Sequence, residues 1–278
     1  LQFQKSGSYN LYLFRVEQPE MRILKPWAPA GYVEFSFKKK SRKPKDLVTV
    51  CVTNFNYAAV ICECLDSIVD QTHENIDLVV VDDLSERDDS IAVITEWMEE
   101  NKQRFYRATL IQNKRNQGPS FSRNVAFENA LGEAVFIMDA DNTVYPKALE
   151  KTYAALINGG FPAVYTQIEE FGDRKGIGHA DIWDPARMKQ NTDVDVMALI
   201  RKDAWARVGG FCHIEEGWED YDFWLKFIDC DLSPGYLPEI LCRYRVHNTS
   251  RTATEALSAH YDLELVMEFR HPSPQKES

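Results

Sequence analysis

The chain has 278 residues, enough to bury a full hydrophobic core, and its 44% hydrophobic and 12% aromatic content is that of an ordinary globular protein. Its net charge of −11 argues against a general nucleic-acid-binding protein, because such proteins carry a basic face. No apolar run is long enough to cross a bilayer, so we expect neither a membrane-spanning helix nor a signal peptide. Because the first residue is Leu1 rather than Met, we expect the sequence to be part of a longer protein.

The six cysteines lack the paired spacing of a zinc site, and Cys62 and Cys64 are the closest approach to one. We interpret these cysteines as packing residues in the reducing cytosol. The predicted location is therefore the cytoplasm, at the inner face of the membrane if the chain binds lipid.

The first 45 residues are predicted to form a β-rich N-terminal extension followed by a basic linker. Apolar and polar residues alternate over 33–37, which predicts a strand with one buried face, and residues 11–14 supply the partner of a hairpin. The basic stretch 38–45 contains a proline and cannot build a core, so we interpret it as a solvated linker. Binding to a phospholipid surface is the alternative for this stretch.

From Asp46 onward strands and helices alternate, an order typical of an α/β protein with a mostly parallel sheet. Beyond Pro146 the pattern is weaker. The predicted strands are 47–52, 76–81, 109–111, 134–138 and 163–168. The predicted helices are 58–69, 90–101, 120–130, 147–157, about 203–208, about 220–228 and 254–269.

Polar side chains cluster where the predicted parallel strands end. Because the carboxyl ends of such strands lie at one edge of a sheet, we expect the clusters to line a single crevice. Taken singly, Asn54, Asp83 and Asn116 are equally explained as turn or helix-cap residues. The clusters are Thr53–Asn56, Asp82–Ser85, Asn116–Pro119 leading to Arg123 and Asn124, and Asp139–Asp141.

Asp139 and Asp141 directly follow a buried strand. Two carboxylates this close repel each other unless a cation lies between them. Hard divalent ions such as Mg²⁺ and Mn²⁺ take oxygen ligands and bridge to the phosphates of a substrate. The sequence therefore predicts a metal–diphosphate site at the end of this strand.

Five blocks of this sequence resemble, in the same order, those of family 2 glycosyltransferases, a large family with the GT-A fold. They include an Asn-x-Gly turn, an Arg-Asn helix, the Asp-x-Asp pair, a Glu-Asp motif and the closing segment Tyr-Arg-Val-His-Asn-Thr-Ser. The resemblance runs from residue 47 to about residue 252 and does not cover residues 1–45. The blocks are residues 48–90, 116–141, 198–211, 217–227 and 244–250.

The resemblance implies a GT-A domain over residues 46–278, in which a Rossmann-like, mostly parallel sheet is flanked by helices. Its nucleotide-binding half would be 46–145 and its acceptor-binding half 146–278. The implied activity is an inverting, Mn²⁺- or Mg²⁺-dependent transfer of a hexose or N-acetylhexosamine. The donor would be a UDP-sugar and the acceptor a glycan or glycolipid-linked saccharide, as in polysaccharide biosynthesis. Nucleic acid is not an expected partner, whereas a membrane surface or further domains are compatible with residues 1–45.

By the same resemblance, the nucleotide would lie against the ends of the first strands. Thr53 and Phe55 would contact the uridine, and Asp83 would accept a hydrogen bond from the uracil ring. Gly118 would allow close approach of the backbone, and a structural role is the alternative for Asp82. The implied nucleotide-binding residues are Thr53, Phe55, Asp82, Asp83, Asn116, Gly118, Arg123 and Asp139.

Asp141 resembles the direct metal ligand of the family, and Asp139 and His247 would complete the set of protein ligands. A structural role is the alternative for His247. Arg245 or Arg251 would neutralise the diphosphate, since a guanidinium pairs with phosphate oxygens. We expect the polar segment that carries these residues to close over the donor.

Inverting transfer needs a base that takes the proton of the acceptor hydroxyl, and a positioned carboxylate contributes roughly 10²–10⁴-fold in this role. The resemblance implies that Asp220 is this base, at a helix start whose dipole favours a carboxylate. An N-cap is the structural alternative for Asp220. Glu219 would hold hydroxyls of the donor sugar, and Trp218 would either stack on a sugar ring or pack in the core.

The Asp-x-Asp pair also allows a haloacid-dehalogenase-like phosphatase, with Asp139 as nucleophile, Asp141 as acid/base and Thr143 as a phosphate contact. Such enzymes carry the motif on their first strand, so this interpretation leaves two earlier acidic strand ends unexplained. A nucleotidyltransferase would show a glycine-rich, basic phosphate loop early in the chain, and none is present. A catalytically inactive glycan-assembly module is the non-enzymatic alternative.

Overall fold

The computed structural model describes residues 31–190, 194–214, 217–248 and 260–272. Within these residues ten strands form one sheet, with helices packed on it. The strands are β1 (Tyr32–Lys38), β2 (Val48–Asn54), β3 (Ile76–Asp82), β4 (Arg107–Gln112), β5 (Ala134–Asp139), β6 (Thr143–Val144), β7 (Ala163–Gly172), β8 (Gly176–Ile177), β9 (Ala198–Arg201) and β10 (Gly235–Val246). The helices are α1 (Ile61–Val69), α2 (Ser90–Asn101), α3 (Pro119–Asn129), α4 (Ala148–Gly159), α5 (Pro185–Met188), α6 (Lys202–Arg207), α7 (Glu219–Asp229) and α8 (His260–Arg270).

The centre of the sheet consists of four parallel strands in the order β4, β3, β2, β5. Every residue of β2 and β3 is buried, as their continuous apolar runs predict for strands covered on both faces. Val50 of β2 packs in the core on one face of the sheet and Cys51 in the core on the other. The prediction of an α/β protein with a mostly parallel sheet is confirmed.

The register of the central strands brings their polar ends together. Asn54 is paired with Asp82 across β2 and β3, and Thr53 is paired with Asp139 across β2 and β5. The expected single edge for these strand ends is therefore confirmed.

The elements predicted for residues 46–145 match the structure to within a few residues, with β6 as an additional short strand. Three strands of the later half, β8, β9 and β10, were not predicted. β9 is short and follows a polar segment. β10 is long, but it contains Pro238 and shifts its register against β7 between Leu237 and Cys242, so it lacks regular alternation. The predicted C-terminal helix begins at residue 260 in the described part of the chain.

The strand predicted at residues 33–37 is present as β1 and pairs antiparallel with β4 at the edge of the sheet. Phe35 is buried, whereas Tyr32 and Val33 are exposed. Its predicted hairpin partner lies outside the described residues, and the domain boundary at residue 45 stays a prediction. No helix within the described ranges combines the length and apolar character that a bilayer crossing requires.

A buried ionic network joins α8 to α7. Asp222 accepts hydrogen bonds from Arg270 Nε at 2.7 Å and His271 Nε2 at 3.0 Å, and Lys226 Nζ lies 3.4 Å from its other oxygen. Burial alone would raise the pKa of Asp222, but the charges of Arg270 and Lys226 outweigh it and hold that pKa well below its usual range. The network therefore fastens the C-terminal helix to the helix that begins with Glu219.

We expect Asp222→Asn to lower the free energy of unfolding by about 3–5 kcal/mol, because it leaves the buried Arg270 without its charged partner. Urea unfolding of the variant and the wild-type protein at neutral pH measures this difference. Asp231→Asn is the matched control, because Asp231 is exposed and asparagine tolerates its positive φ of 52°. Equal stability of Asp222→Asn and wild type would show that the network contributes little.

Candidate active site

A buried arginine joins the end of β5 to the start of α7. Arg123 of α3 is 3% exposed and donates from Nη1 to Glu219 Oε1 at 2.9 Å and from Nη2 to Asp139 Oδ1 at 3.0 Å. Its guanidinium also lies over the ring of Phe211, 5.5 Å from the centroid. Burial alone would lower the pKa of Arg123, but the charges of Asp139 and Glu219 outweigh it and raise the pKa. Arg123 is therefore a permanent cation that both carboxylates share.

Asp139 is held from two sides and still reaches the crevice. Thr53 Oγ1 donates to Asp139 Oδ1 at 2.9 Å, and Arg123 Nη2 lies 3.3 Å from Oδ2. The side chain of Asp139 is 30% exposed. The register of β2 and β5 thus places Thr53 and Asp139 together, as the sequence predicts.

The second acid of the pair contacts His247. Asp141 Oδ2 lies 2.9 Å from His247 Nε2, and Tyr57 Oη lies 3.5 Å from the same nitrogen. Burial and the charge of Asp139 raise the pKa of Asp141. The end of β10 is tied to this loop, because Arg245 Nε donates to the main-chain oxygen of Asp141 at 2.9 Å. Two residues 106 positions apart in the chain are therefore brought into contact, as the resemblance implies.

The donor atoms of Asp141 and His247 fit a divalent cation. The described ranges contain no cluster of three or more His, Cys, Asp or Glu ligands. Mg²⁺ and similar ions are nevertheless commonly held by one or two protein groups together with phosphate oxygens and water. Neighbouring ligands of an octahedral ion with bonds of about 2.1 Å stand about 3 Å apart, close to the observed 2.9 Å. Asp139 lies beside this pair, and its carboxylate accepts hydrogen bonds from Thr53 and Arg123.

The two acids at the end of β3 are bonded within the protein. Asp82 is fully buried and accepts from Asn54 Nδ2 at 2.7 Å, which agrees with its structural alternative. Asp83 is 4% exposed and accepts from the backbone amides of Gln117 at 3.0 Å and Gly118 at 2.7 Å. Asp83 thus holds the loop that leads into α3, and its predicted contact with uracil stays a prediction.

The other residues predicted for the nucleotide lie directly after β2 or in the turn before α3. Phe55 and Asn116 are exposed. Gly118 has φ of 84°, and a Cβ at this position would lie 3.3 Å from His213 Nδ1. The turn therefore favours glycine for its left-handed backbone.

The predicted base lies in the first turn of α7. Asp220 is half-buried, and its Oδ1 accepts from the backbone N–H of Tyr221 at 2.8 Å. Burial and the charge of Glu219 raise the pKa of Asp220 to about 6. Trp218 occupies the N-cap position with φ of 61°, so the N-cap alternative for Asp220 is wrong. The ring of Trp218 meets Tyr221 edge-on, with centroids 5.6 Å apart.

Of the two arginines predicted for the diphosphate, only Arg245 lies within the described residues. Its guanidinium pairs with Glu63 and lies 4.5 Å from the ring centroid of Phe171. Arg251 lies outside the described residues. The contact of Arg245 with diphosphate stays a prediction.

Asp195 was not predicted from the sequence. β9 runs antiparallel to β5, with Leu199 paired to Phe136, so the amino end of β9 points toward the crevice. Asp195 lies just before β9, and its Oδ1 accepts from the backbone N–H of Met197 at 2.8 Å. A rule based on the carboxyl ends of parallel strands cannot find such a residue. In the sequence Asp195 is the second of two acids, after Asp193, that precede the apolar run from Val196 to Ile200.

Comparison with known proteins agrees with this geometry. The profile of the family Glycosyl transferase family 2 matches residues 49–207. An uncharacterized glycosyltransferase of Methanocaldococcus jannaschii is 26% identical over 79% of this chain and 79% of its own length. The putative glycosyltransferase EpsE of Bacillus subtilis is 26% identical over 71% of this chain and 72% of its own length.

Solved structures share the fold. A fragment of Staphylococcus aureus TarS in complex with UDP-GlcNAc superposes with a TM-score of 0.65 at 19% identity, over 75% of this chain and 61% of the fragment. The mannosyltransferase PcManGT of Pyrobaculum calidifontis, in complex with GDP-Man and Mn²⁺, gives a TM-score of 0.60 at 21% identity, over 92% of this chain and 71% of its own. The profile match covers more than half of the chain and includes Arg123, Asp139 and Asp141, whereas Glu219, Asp220 and His247 lie beyond it. This chain therefore belongs to glycosyltransferase family 2 and has the GT-A fold of its structural neighbours.

Proposed function

We propose that this protein is an inverting, metal-dependent glycosyltransferase that moves a hexose or N-acetylhexosamine from a UDP-sugar to a glycan or lipid-linked saccharide. One observation carries the proposal. Arg123 binds Asp139, on the proposed donor side, and Glu219, next to the proposed base Asp220. In this proposal the bridge of Arg123 would hold the donor side and the acceptor side of the reaction next to each other.

The structural neighbours support a nucleotide-sugar donor. The TarS fragment is seen with UDP-GlcNAc and PcManGT with GDP-Man, so proteins of this fold bind sugars linked to either nucleotide. We propose uridine for this chain because residues 48–90 resemble the nucleotide block of the family. The exposed ring of Phe55 offers a face for the base, and the paired residues Thr53 and Asp139 lie at the ends of β2 and β5.

Asp141 and His247 would hold Mn²⁺ or Mg²⁺, with Asp139 beside them. A divalent cation at this position supplies charge that stabilises the diphosphate leaving group by several kcal/mol. The neighbour PcManGT is seen with Mn²⁺. Arg245 is tied to the main chain of Asp141, so its guanidinium lies within the same part of the crevice.

Asp220 would take the proton of the acceptor hydroxyl as its oxygen attacks the anomeric carbon. The bond from that carbon to the diphosphate breaks on the opposite side, so the anomeric configuration inverts. The raised pKa of Asp220, about 6, makes it a stronger base than an ordinary carboxylate while it is still ionised at neutral pH. Glu219 is fixed by Arg123 next to this base, in a position to bind hydroxyls of the donor sugar.

The phosphatase alternative receives no support. The chain belongs to a glycosyltransferase family, and the Asp-x-Asp pair follows β5, the fourth of the parallel strands in chain order, rather than the first. A catalytically inactive module would differ from the enzyme only in the absence of turnover.

The proposal is tested by measuring the hydrolysis of a panel of UDP-sugars, once with Mn²⁺ and once with EDTA. GDP-mannose is included as a donor that carries the other nucleotide. If none of the UDP-sugars is hydrolysed in a metal-dependent way, the proposal is contradicted.

We expect Asp141→Ala to abolish Mn²⁺-dependent binding of UDP, because it removes one of the two groups that converge on the proposed cation. Calorimetric titration with UDP, with and without Mn²⁺, measures the difference. Asp173→Ala is the control, because Asp173 is an exposed acid in the β7–β8 turn. Equal Mn²⁺-dependent affinity in Asp141→Ala and wild type would remove Asp141 from the metal site.

We expect Asp220→Asn to bind UDP as the wild-type protein does and to lose roughly 10²–10⁴-fold in turnover, because an amide cannot accept the proton of the acceptor. The two readouts are UDP affinity and the rate of UDP release from the donor that the panel identifies. Transfer at a near wild-type rate would show that another group is the base.

We expect Arg123→Lys to lower the free energy of unfolding by about 1–3 kcal/mol and to reduce turnover. A single ammonium cannot reproduce the two hydrogen bonds of the guanidinium, so one buried carboxylate loses its partner. Urea unfolding and the UDP-sugar assay give the two values. Arg87→Lys, at an exposed position, is the control. A variant at position 123 with unchanged stability and rate would show that the bridge is dispensable.

A further inference from the structure

Asn142 directly follows the second acid of the Asp-x-Asp pair and is 1% exposed. Its backbone N–H donates to the main-chain oxygen of Asp139 at 3.1 Å. A hydrogen bond between the first and fourth residues of such a segment closes a β-turn, in which Asp141 is the third residue. The turn therefore fixes where Asn142 lies relative to both acids.

The side chain of Asn142 connects this turn to β10. Its Oδ1 accepts a hydrogen bond from the backbone N–H of Arg245 at 2.9 Å. The backbone pairing of β6 with β10 ends at Thr143 and Arg243. Beyond this pair, the side chain of Asn142 takes the place of a main-chain partner for β10.

This hydrogen bond lies close to both groups of the proposed cation site. Asn142 is adjacent to Asp141 in the chain, and Arg245 lies two residues before His247. Two residues of an extended strand span about 7 Å. Arg245 Nε also donates to the main-chain oxygen of Asp141 at 2.9 Å. The separation of 2.9 Å between Asp141 Oδ2 and His247 Nε2 therefore depends on how the turn and the end of β10 are held together.

We infer that Asn142 is a positioning residue for the divalent cation, and that it acts through Asp141 and His247 rather than as a ligand. Its role rests on the proposed function, in which those two residues hold Mn²⁺ or Mg²⁺. Within the described part of the chain Asn142 Nδ2 has no hydrogen-bond partner, so the hydrogen bond of Oδ1 with Arg245 carries this role.

The physical reason is that small divalent ions require a fixed arrangement of their ligands. Mg²⁺ demands near-octahedral geometry with bonds of about 2.1 Å. Removal of a group that holds metal ligands in place costs roughly 10–100-fold in metal affinity. Asn142 connects the backbones on both sides of the Asp141–His247 pair, so loss of its acceptor oxygen weakens that arrangement.

The test compares Asn142→Leu, which has a similar shape but no acceptor, with Asn142→Asp, which keeps an acceptor oxygen. Calorimetry measures the affinity for UDP over a range of Mn²⁺ concentrations and in EDTA. We expect Asn142→Leu to need roughly 10–100-fold more Mn²⁺ for half of the metal-dependent gain in affinity. Its affinity for UDP in EDTA should equal that of the wild-type protein, whereas a general structural defect would lower it. Asn142→Asp should need no more Mn²⁺ than the wild-type protein.

Asn75→Leu is the matched control. Asn75 is a partly buried asparagine just before β3, at the amino ends of the parallel strands, and its Nδ2 donates to Asp46 Oδ1 at 2.9 Å. Loss of this hydrogen bond should leave the response to Mn²⁺ unchanged. A wild-type response in Asn142→Leu would overturn the inference while the proposed function stands. Equal weakening in Asn142→Leu and Asn142→Asp would also overturn it, because the acceptor oxygen would then not matter.

A second measurement does not depend on the proposed function. In Asn142→Leu we expect the backbone amide of Arg245 to exchange with deuterium about 2- to 10-fold faster than in the wild-type protein, because its acceptor has been removed. NMR measures this rate, and an unchanged rate would overturn the inference. If Mn²⁺ has no effect on UDP binding by the wild-type protein, the metal dependence in the proposed function fails. The exchange rate of Arg245 still decides whether Asn142 holds β10 to the turn.

Discussion

A guanidinium removed from water keeps its charge only where carboxylates surround it, and this requirement shapes the centre of the protein. Arg123 meets it with Asp139 and Glu219, which come from opposite halves of the chain. Breaking such a buried pair is costly, because it leaves an uncompensated charge in a poorly solvated site. The ion pairs therefore fix α7 against the end of β5, and the relative position of Asp141 and Asp220 follows from them.

The nucleotide half could be predicted from sequence because its signals are local. Continuous β-branched runs such as Val48–Val52 mark strands buried on both faces, and the polar residues that follow them mark one sheet edge. The hydrogen-bond partners of these acids are not local. Asp83 is held by amides of Gln117 and Gly118, 34 and 35 residues away, so the sequence could not show that its carboxylate supports a loop.

The second half was less predictable because its strands break the simple rules. Pro238 interrupts β10, and the charged residues Arg243 and Arg245 hide its strand character. β9 runs antiparallel to β5, so its amino end, which Asp195 precedes, lies on the side of the sheet where β5 ends. The resemblance to a family supplied His247, whereas the pattern of residues alone favoured a structural histidine.

The ionic network around Asp222 joins α7 to a helix that comes late in the chain. α8, which supports α7 through Arg270, follows every strand of the described sheet in the chain. A nascent chain that ends before residue 260 already contains Asp139, Asp141 and Asp220. It lacks α8, the helix that supports α7, in whose first turn Asp220 lies. Until α8 has been synthesised, Asp222 of α7 therefore lacks its partner Arg270.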